Sequence, residues 1–269
     1  MKAELITIGN EILLGDVLDS NAYFIAKELT SLGVQVERMH TIRDSLDEIR
    51  RFLDYAFNHD KADIVVTTGG LGPTIDDMTY EAVAKFYDVD LYENTRSLLY
   101  LQERVELLNI IDPSRVRKLI PARRKMALLP RGGIPLYNPN GAAPGLWYET
   151  SCQVLICLPG VPVEMTGIWE VETRPRLVEF TAGFGYEEMH FVVHFTDESS
   201  LAPIIADASE HFPEVHFKTR PKRVGQGWRM KLDIAQFTST EQPSRLLDAV
   251  EAVLSKLEGE GIKYNIRED

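Results

Sequence analysis

The chain opens on an alternation of short apolar runs and longer amphipathic stretches. "AELITI" (3–8) is a continuous apolar run, the mark of a strand buried on both faces. In "DSNAYFIAKELTSLG" (19–33) the residues Ala22, Ile25, Ala26, Leu29 and Leu32 recur at helical spacing, and Gly33 makes a natural stop. "VQVERMHTI" (34–42) predicts a second strand. "SLDEIRRFLDYAFNH" (45–59) predicts a second helix, with Leu46, Ile49, Leu53, Ala56 and Phe57 on one face and Ser45 and Glu48 at the spacing of a capping box. "ADIVVT" (62–67) predicts a third strand. Strands and helices alternating through short connections predict an α/β domain, with a parallel sheet flanked by helices.

"MTYEAVAKFYD" and most of residues 94–124 predict further helix, broken at Pro113. Pro130, Pro135 and Pro139 with Gly132, Gly133 and Gly141 predict an irregular stretch. "QVLICL" (153–158) is the last strand of this part, and "PVEMTGIWEVE" (162–172) begins its closing helix. The pattern changes after Gly183 and Gly185. "MHFVVHF" (189–195) alternates like a strand, "SSLAPIIADASEHF" reads as helix, and "EVHFKTRP" and "WRMKLDIAQF" read as strands joined by a turn at Gly225–Gly227. "PSRLLDAVEAVLSKLEGEG" is an amphipathic helix. This β-α-β-β-α order predicts a small α+β domain with helices on one side of its sheet. The division therefore falls near residue 180, into domains 1–180 and 181–269.

Composition narrows the function. With 269 residues, 44% apolar and 26% charged, the chain has globular composition. Its net charge of −12 repels polyphosphates at long range and argues against non-specific nucleic-acid binding. A local phosphate pocket stays open, because backbone N–H groups and divalent ions reverse the field nearby. The first residues are too short and too polar a run for a signal peptide, and no apolar segment reaches the roughly 18–20 residues of a membrane helix, so a cytoplasmic protein is expected. Cys152 and Cys157 stand five apart on a predicted strand, facing opposite ways, and are expected to be reduced, buried thiols. The six histidines show no ligand spacing, so no zinc site is expected.

In an open parallel sheet, ligands collect beyond the carboxyl ends of the strands. Three segments rich in glycine or proline fall there: "GNEILLGDVLDSN" (9–21), "TTGGLGPTIDDMT" (67–79) and "LPGVPVEM" (158–165). Glycines let backbone N–H groups converge on an anion, and a helix starting near Met78 would add its positive end. Asp76 and Asp77 have two readings. They complement the dipole in the first turn of that helix, or they give hard oxygen ligands to a divalent ion bridging phosphates. Glu11 is a carboxylate placed directly after the first strand. Asn138 and Gly141 in "NPNGAAPG" also fit a plain turn.

These four motifs, in order and spacing, resemble the molybdopterin-binding-like domain of the CinA family over about residues 1–175. The segment "ESSLAPIIADASEHFPEVHFKTRP" with the last helix resembles the KH-like domain that follows in that family. The resemblance implies a three-layer αβα sandwich with a smaller α+β KH-like domain, and a homodimer. It also implies a pyrophosphatase that cleaves ADP-ribose to AMP and ribose 5-phosphate, dependent on Mg²⁺, Co²⁺ or Mn²⁺ and stimulated by K⁺. Carried onto this chain, the pocket residues are Glu11, Gly69, Gly70, Gly72, Thr74, Asp76, Asp77, Asn138, Gly141, Gly145 and Gly160. Asp77 stands at the essential acid of the molybdopterin relatives, and Asp76 and Asp77 are the expected metal ligands, with Glu11 in support. Asn10 departs from the Asp or Thr of many relatives. The family's carboxy-terminal deamidase domain has no counterpart before Asp269, so no deamidase activity is expected.

Other readings use the same residues. A pterin-binding or adenylating protein of molybdenum-cofactor type shares the fold, and a scaffold with a decayed site stays open. A nucleic-acid module would rest on "KTRPKR" (218–223), but "VGQGW" (224–228) is one residue short of the GxxG loop of an RNA-binding KH domain. A solvated strand end is the plain alternative for that basic run, and a structural part in dimerisation is the reading preferred over both.

Overall fold

The computed structural model describes residues 1–194, 197–224 and 227–266. The chain falls into two units, Met1–Thr30 with Gln35–Ala182, and Ser31–Val34 with Gly183–Asp269. The first runs β1 (Lys2–Ile8), α1 (Asn10–Leu13), α2 (Ser20–Ser31), β2 (Gln35–Ile42), α3 (Leu46–Asp54), β3 (Ile64–Thr68), α4 (Thr79–Phe86), β4 (Leu91–Glu93), α5 (Thr95–Ile111), α6 (Pro121–Lys125), β5 (Leu128–Pro130), β6 (Ile134–Leu136), β7 (Gly145–Glu149), β8 (Val154–Leu158), α7 (Pro162–Ile168) and α8 (Arg174–Phe180). Its main sheet has the order β2-β1-β3-β8-β7-β6, while β4 and β5 form a separate ribbon. β2, β1, β3 and β8 are parallel, and β7 pairs antiparallel with both its neighbours.

The apolar runs explain the layers. Alternation along the central strands sends Ile6, Ile8, Val65, Leu155 and Cys157 to one face, among Ile49 and Leu53 of α3, Val83 of α4 and Leu101 of α5. Leu5, Ile64, Val66, Val154 and Ile156 are buried on the other face, as are Ile25 and Leu29 of α2 and Ile168 of α7. There the Trp169 indole donates to Glu28 Oε2 at 3.1 Å and meets the Phe24 ring edge-on, tying α2 to the chain after α7. Each of these aliphatic side chains adds roughly 1.5–3 kcal/mol by leaving water. The result is the helix-flanked sheet that the patterning predicts, in the three-layer α/β sandwich that the resemblance implies. Among the described residues, no helix is long and apolar enough to cross a membrane.

The second unit runs β9 (Phe184–Val193), α9 (Glu198–His211), β10 (Val215–Val224), β11 (Gly227–Ser239), α10 (Leu246–Gly259) and β12 (Tyr264–Ile266). Its antiparallel sheet has the order β10-β11-β9-β12. Phe191, Val193, Met230, Leu232 and Ile234 pack with Leu201 and Ile204 of α9 and with Ala249, Val253 and Leu257 of α10. Both helices therefore lie on one side. Of the "VGQGW" segment, Gly225 and Gln226 lie outside the described residues.

Several local expectations are corrected. Ser45 makes no side-chain cap bond; Glu48 instead accepts from the Arg43 N–H at 3.1 Å, so the capping box does not form. The stretch expected to be irregular holds β5 and β6, and β7 follows it. The closing helix is interrupted by a π-helical turn, Trp169–Thr173. Both cysteines are free, but only Cys157 is buried, because Cys152 stands in the exposed bend before β8.

Candidate functional site

β1, β3 and β8 are neighbours in the sheet, so the loops leaving their carboxyl ends meet. They enclose a cavity of about 740 Å³, lined among others by Glu11, Asp44, Gly69, Gly70, Gly72, Asp76, Asp77, Arg123, Gly160 and Glu164. The glycines permit the closeness. Gly69 has φ +102°, and a Cβ there would stand 2.1 Å from the Ile8 carbonyl oxygen. Gly70 has φ +68°, and its Cβ would meet Thr79 Oγ1 at 2.3 Å. Thr79 locks this turn: its hydroxyl donates to the Gly69 carbonyl at 2.9 Å and its N–H to the Gly70 carbonyl at 3.1 Å. The first N–H of α4 is thus satisfied by the loop and does not point at a ligand.

The paired aspartates precede α4 and are not in its first turn, where the acidic residue is Glu81. The Asp77 carboxylate folds back over the loop. Its Oδ2 accepts from the Thr74 N–H at 2.8 Å and the Thr74 hydroxyl at 2.7 Å, and it fills the space a Cβ on Gly72 would need. The Thr74 hydroxyl also reaches Asp76 Oδ1, which holds that carboxyl below the usual range. Lys125 Nζ donates to the Asp77 carbonyl at 2.6 Å and to the Thr74 carbonyl, pinning both ends of the turn from α6.

On the opposite wall, Asn138 is buried and ties its own loop together. Its Oδ1 accepts from Gly141 N–H at 2.7 Å, and its Nδ2 donates to the Ala143 carbonyl at 2.8 Å and to Glu164 Oε2 at 2.7 Å. Gly141 lets Glu164 sit against the backbone, since a Cβ there would fall 1.9 Å from Glu164 Oε2. Asn21 Nδ2 donates to the Gly160 carbonyl at 2.7 Å and fixes the third loop.

Of the residues singled out in the sequence, Glu11, Gly69, Gly70, Gly72, Asp76, Asp77 and Gly160 line the cavity. Thr74, Asn138, Gly141 and Gly145 are not on its lining. Thr74 orients the aspartates, and Asn138 and Gly141 build the wall that holds Glu164. Gly145 lies within β7, where its Cβ would touch the Cys157 carbonyl at 3.0 Å, so it serves close strand packing.

Sequence reasoning missed Asp44, Arg123, Lys125, Thr79 and the role of Glu164. Asp44 accepts from the Asn10 N–H at 2.9 Å, so Asn10 contributes its backbone to this wall. Burial pushes the Asp44 carboxyl above its ordinary value; the Asn10 N–H offsets part of this, and the charges of Glu11 and Asp76 add to it. Five carboxylates thus border one cavity with a single guanidinium, Arg123, among its lining residues. Such a site repels phosphate unless N–H donors or cations offset its carboxylates. Its hard oxygen donors suit a divalent ion. Among the described residues no three His, Cys, Asp or Glu side chains converge to hold one alone. An ion held here would need further ligands from water or from a bound ligand, as Mg²⁺ commonly takes.

Comparison with known proteins gives the following. Residues 4–179 match the family described as Probable molybdopterin binding domain. A Pyrobaculum calidifontis protein is 36% identical over 255 residues, covering 95% of this chain and 94% of its own length. A Pyrococcus abyssi protein is 37% identical over 270 residues, covering 98% of both. A Clostridium botulinum protein named for competence-damage induction is 36% identical over 211 residues, and this chain spans 49% of its length. The crystal structure of the protein CinA from Thermoplasma acidophilum, 38% identical, superposes with a TM-score of 0.58 over 65% of this chain and 98% of that one.

Proposed function

This chain belongs to the Probable molybdopterin binding domain family, on its CinA-like branch, and we propose that its cavity hydrolyses the diphosphate of a nucleotide such as ADP-ribose. The products are AMP and ribose 5-phosphate. The observation that carries this reading is the juxtaposition of a side-chain-free backbone turn at Gly69, Gly70 and Gly72 with the carboxylates of Glu11, Asp44, Asp76 and Asp77 on one cavity. The turn gives phosphate oxygens room against the main chain. Asp77 and Asp76, with Glu11 in support, would hold a divalent ion, which supplies Lewis-acid polarisation and neutralises charge on the phosphates when bound. Thr74 and Lys125 hold the aspartates in one posture, Arg123 faces the remaining phosphate charge, and the apolar wall of half-buried Ala142 and buried Ala143 limits water on one side. Attack of water on one phosphorus breaks the bridging P–O bond, and Asp44, a cavity carboxylate whose proton affinity burial raises, would take the proton released.

The test is release of AMP from ADP-ribose by the purified protein, with Mg²⁺, Mn²⁺ or Co²⁺, with EDTA, and with K⁺ replaced by Na⁺. Asp77→Asn keeps an acceptor for Thr74 and should fold normally while turnover disappears. Full turnover in Asp77→Asn, or AMP release undiminished by EDTA, would refute the assignment. The family description favours a second reading, in which a pterin is bound and not cleaved; tight pterin binding with no AMP from any metal would establish that reading instead. A homodimer accompanies the proposal and is checked by sedimentation equilibrium.

A further inference from the structure

The charge of this acidic chain is segregated. β10 and β11 hold six of its 29 Lys and Arg, namely Lys218, Arg220, Lys222, Arg223, Arg229 and Lys231, against one of its 41 Asp and Glu, Asp233. The register sets Lys218 opposite Asp233, Arg220 opposite Lys231, and Lys222 opposite Arg229. Residues two apart on a strand share a face, so these six partners lie together on the sheet face turned away from α9 and α10, which Met230, Leu232 and Ile234 cover. Asp233 is engaged by Arg220, by Lys231 at 3.0 Å and by His190 at 2.7 Å. Glu188 of β9, opposite Ala235, shares this face and is held by the Tyr186 hydroxyl at 2.9 Å and by His190 at 3.4 Å, and Lys218, Lys222 and Arg229 leave the face a surplus of positive charge. At its other end are aromatic rings: Phe237 stands 4.9 Å from Tyr186 and 6.2 Å from His216, centroid to centroid.

We infer that this open sheet face binds single-stranded nucleic acid. Cations on alternate strand positions stand about 7 Å apart, a row that can follow a sugar–phosphate backbone, and the rings offer a stacking surface to unpaired bases. The net charge of −12 repels a polyanion at long range, so a strand is held only where cations cluster locally, as they do on this face. A duplex hides its base faces and would use the cations alone. A membrane surface would need apolar side chains standing beyond the cations, whereas Phe237 and Tyr186 are half-buried.

The experiment is fluorescence anisotropy of a labelled oligouridylate of about twelve nucleotides, titrated with the full chain. With about four phosphates neutralised, log K falls with a slope near −3 in log salt, roughly a 50-fold loss between 50 and 200 mM. The variant Lys218→Ala/Lys222→Ala/Arg229→Ala should bind at least tenfold more weakly at the lower salt, with an unchanged circular dichroism spectrum. Lys218→Arg/Lys222→Arg should bind like the parent. No binding at the lower salt, equal binding by the alanine variant, or equal affinity for a duplex of the same length would overturn the inference. So would capture by phosphatidylserine vesicles without oligonucleotide binding. A self-association that the alanine variant abolishes, with no oligonucleotide bound by the parent, would assign the face to a second copy of the chain.

Discussion

Gly69→Ala isolates the physical basis of the cradle. At φ +102° any side chain is strained, at about 1–2 kcal/mol for a left-handed backbone. A Cβ would also stand 2.1 Å from the Ile8 carbonyl, a main-chain atom of the central strand that cannot swing aside. Forcing β1 and β3 apart adds about 1–3 kcal/mol, as overpacking does elsewhere. The sum is about 3 kcal/mol, or a fall of about 6–12 °C in the melting temperature of a domain this size. Gly15→Ala is the control. Its φ is +77°, but nothing lies within 4 Å of its Cβ, so it carries the backbone cost alone, about 1 kcal/mol. Urea denaturation of both variants, followed by tryptophan fluorescence, separates clash from backbone strain. If Gly69→Ala is no less stable than Gly15→Ala, the close approach of the β3 turn to β1 is not what demands glycine.

Three further outcomes follow from the same geometry. Burial and its acidic neighbours raise the Asp44 carboxyl, so its ionised form costs stability; that cost is absent below the ordinary carboxylate range and appears as pH rises through the raised value. Asp44→Asn should therefore melt above the parent at pH 7 and together with it near pH 3, and a lower melting point at pH 7 by calorimetry would reverse the sign of the argument. Lys125→Ala removes two charge-assisted bonds to the aspartate turn; loss of about 1.4 kcal/mol of positioning in the transition state lowers kcat/KM for ADP-ribose about tenfold, and steady-state kinetics showing no change would mean the turn holds itself. Exposed Cys152 should react with a maleimide in the native protein, while Cys157, buried and with its thiol pushed up to about 12, should react only after unfolding; mass spectrometry showing two adducts on native protein would contradict that burial.

The sequence displayed the frame of the site better than its charges. Runs such as "ADIVVT" and "QVLICL" are buried on both faces, so their strand character survives without knowledge of neighbours, and the turns that follow them are legible for the same reason. β6 and β7 were hidden because Pro135, Gly133 and Gly141 dominate their surroundings, although Trp147 and Tyr148 are residues that favour strands. Asp44 follows the end of β2 and obeyed the carboxyl-end rule already applied to the other loops, so a signal existed. Lys125 and Arg123 gave none. They reach the site from α6, some fifty residues along the chain from the aspartate turn, and only tertiary structure brings them there. The run "KTRPKR" was plain in the sequence, but that Arg229 and Lys231 join it on one sheet face follows only from the pairing of β10 with β11.

The order of the central strands has a consequence for how the protein is made. Adjacent walls of the cavity come from the loops that follow β1, β3 and β8, which leave the ribosome far apart in time. Until β8 arrives, β3 presents a bare edge of unpaired amides and carbonyls, and pairing of such distant segments is slow. Nascent chains caught in that interval are the species most exposed to aggregation, and a chaperone that shields the β3 edge would act there.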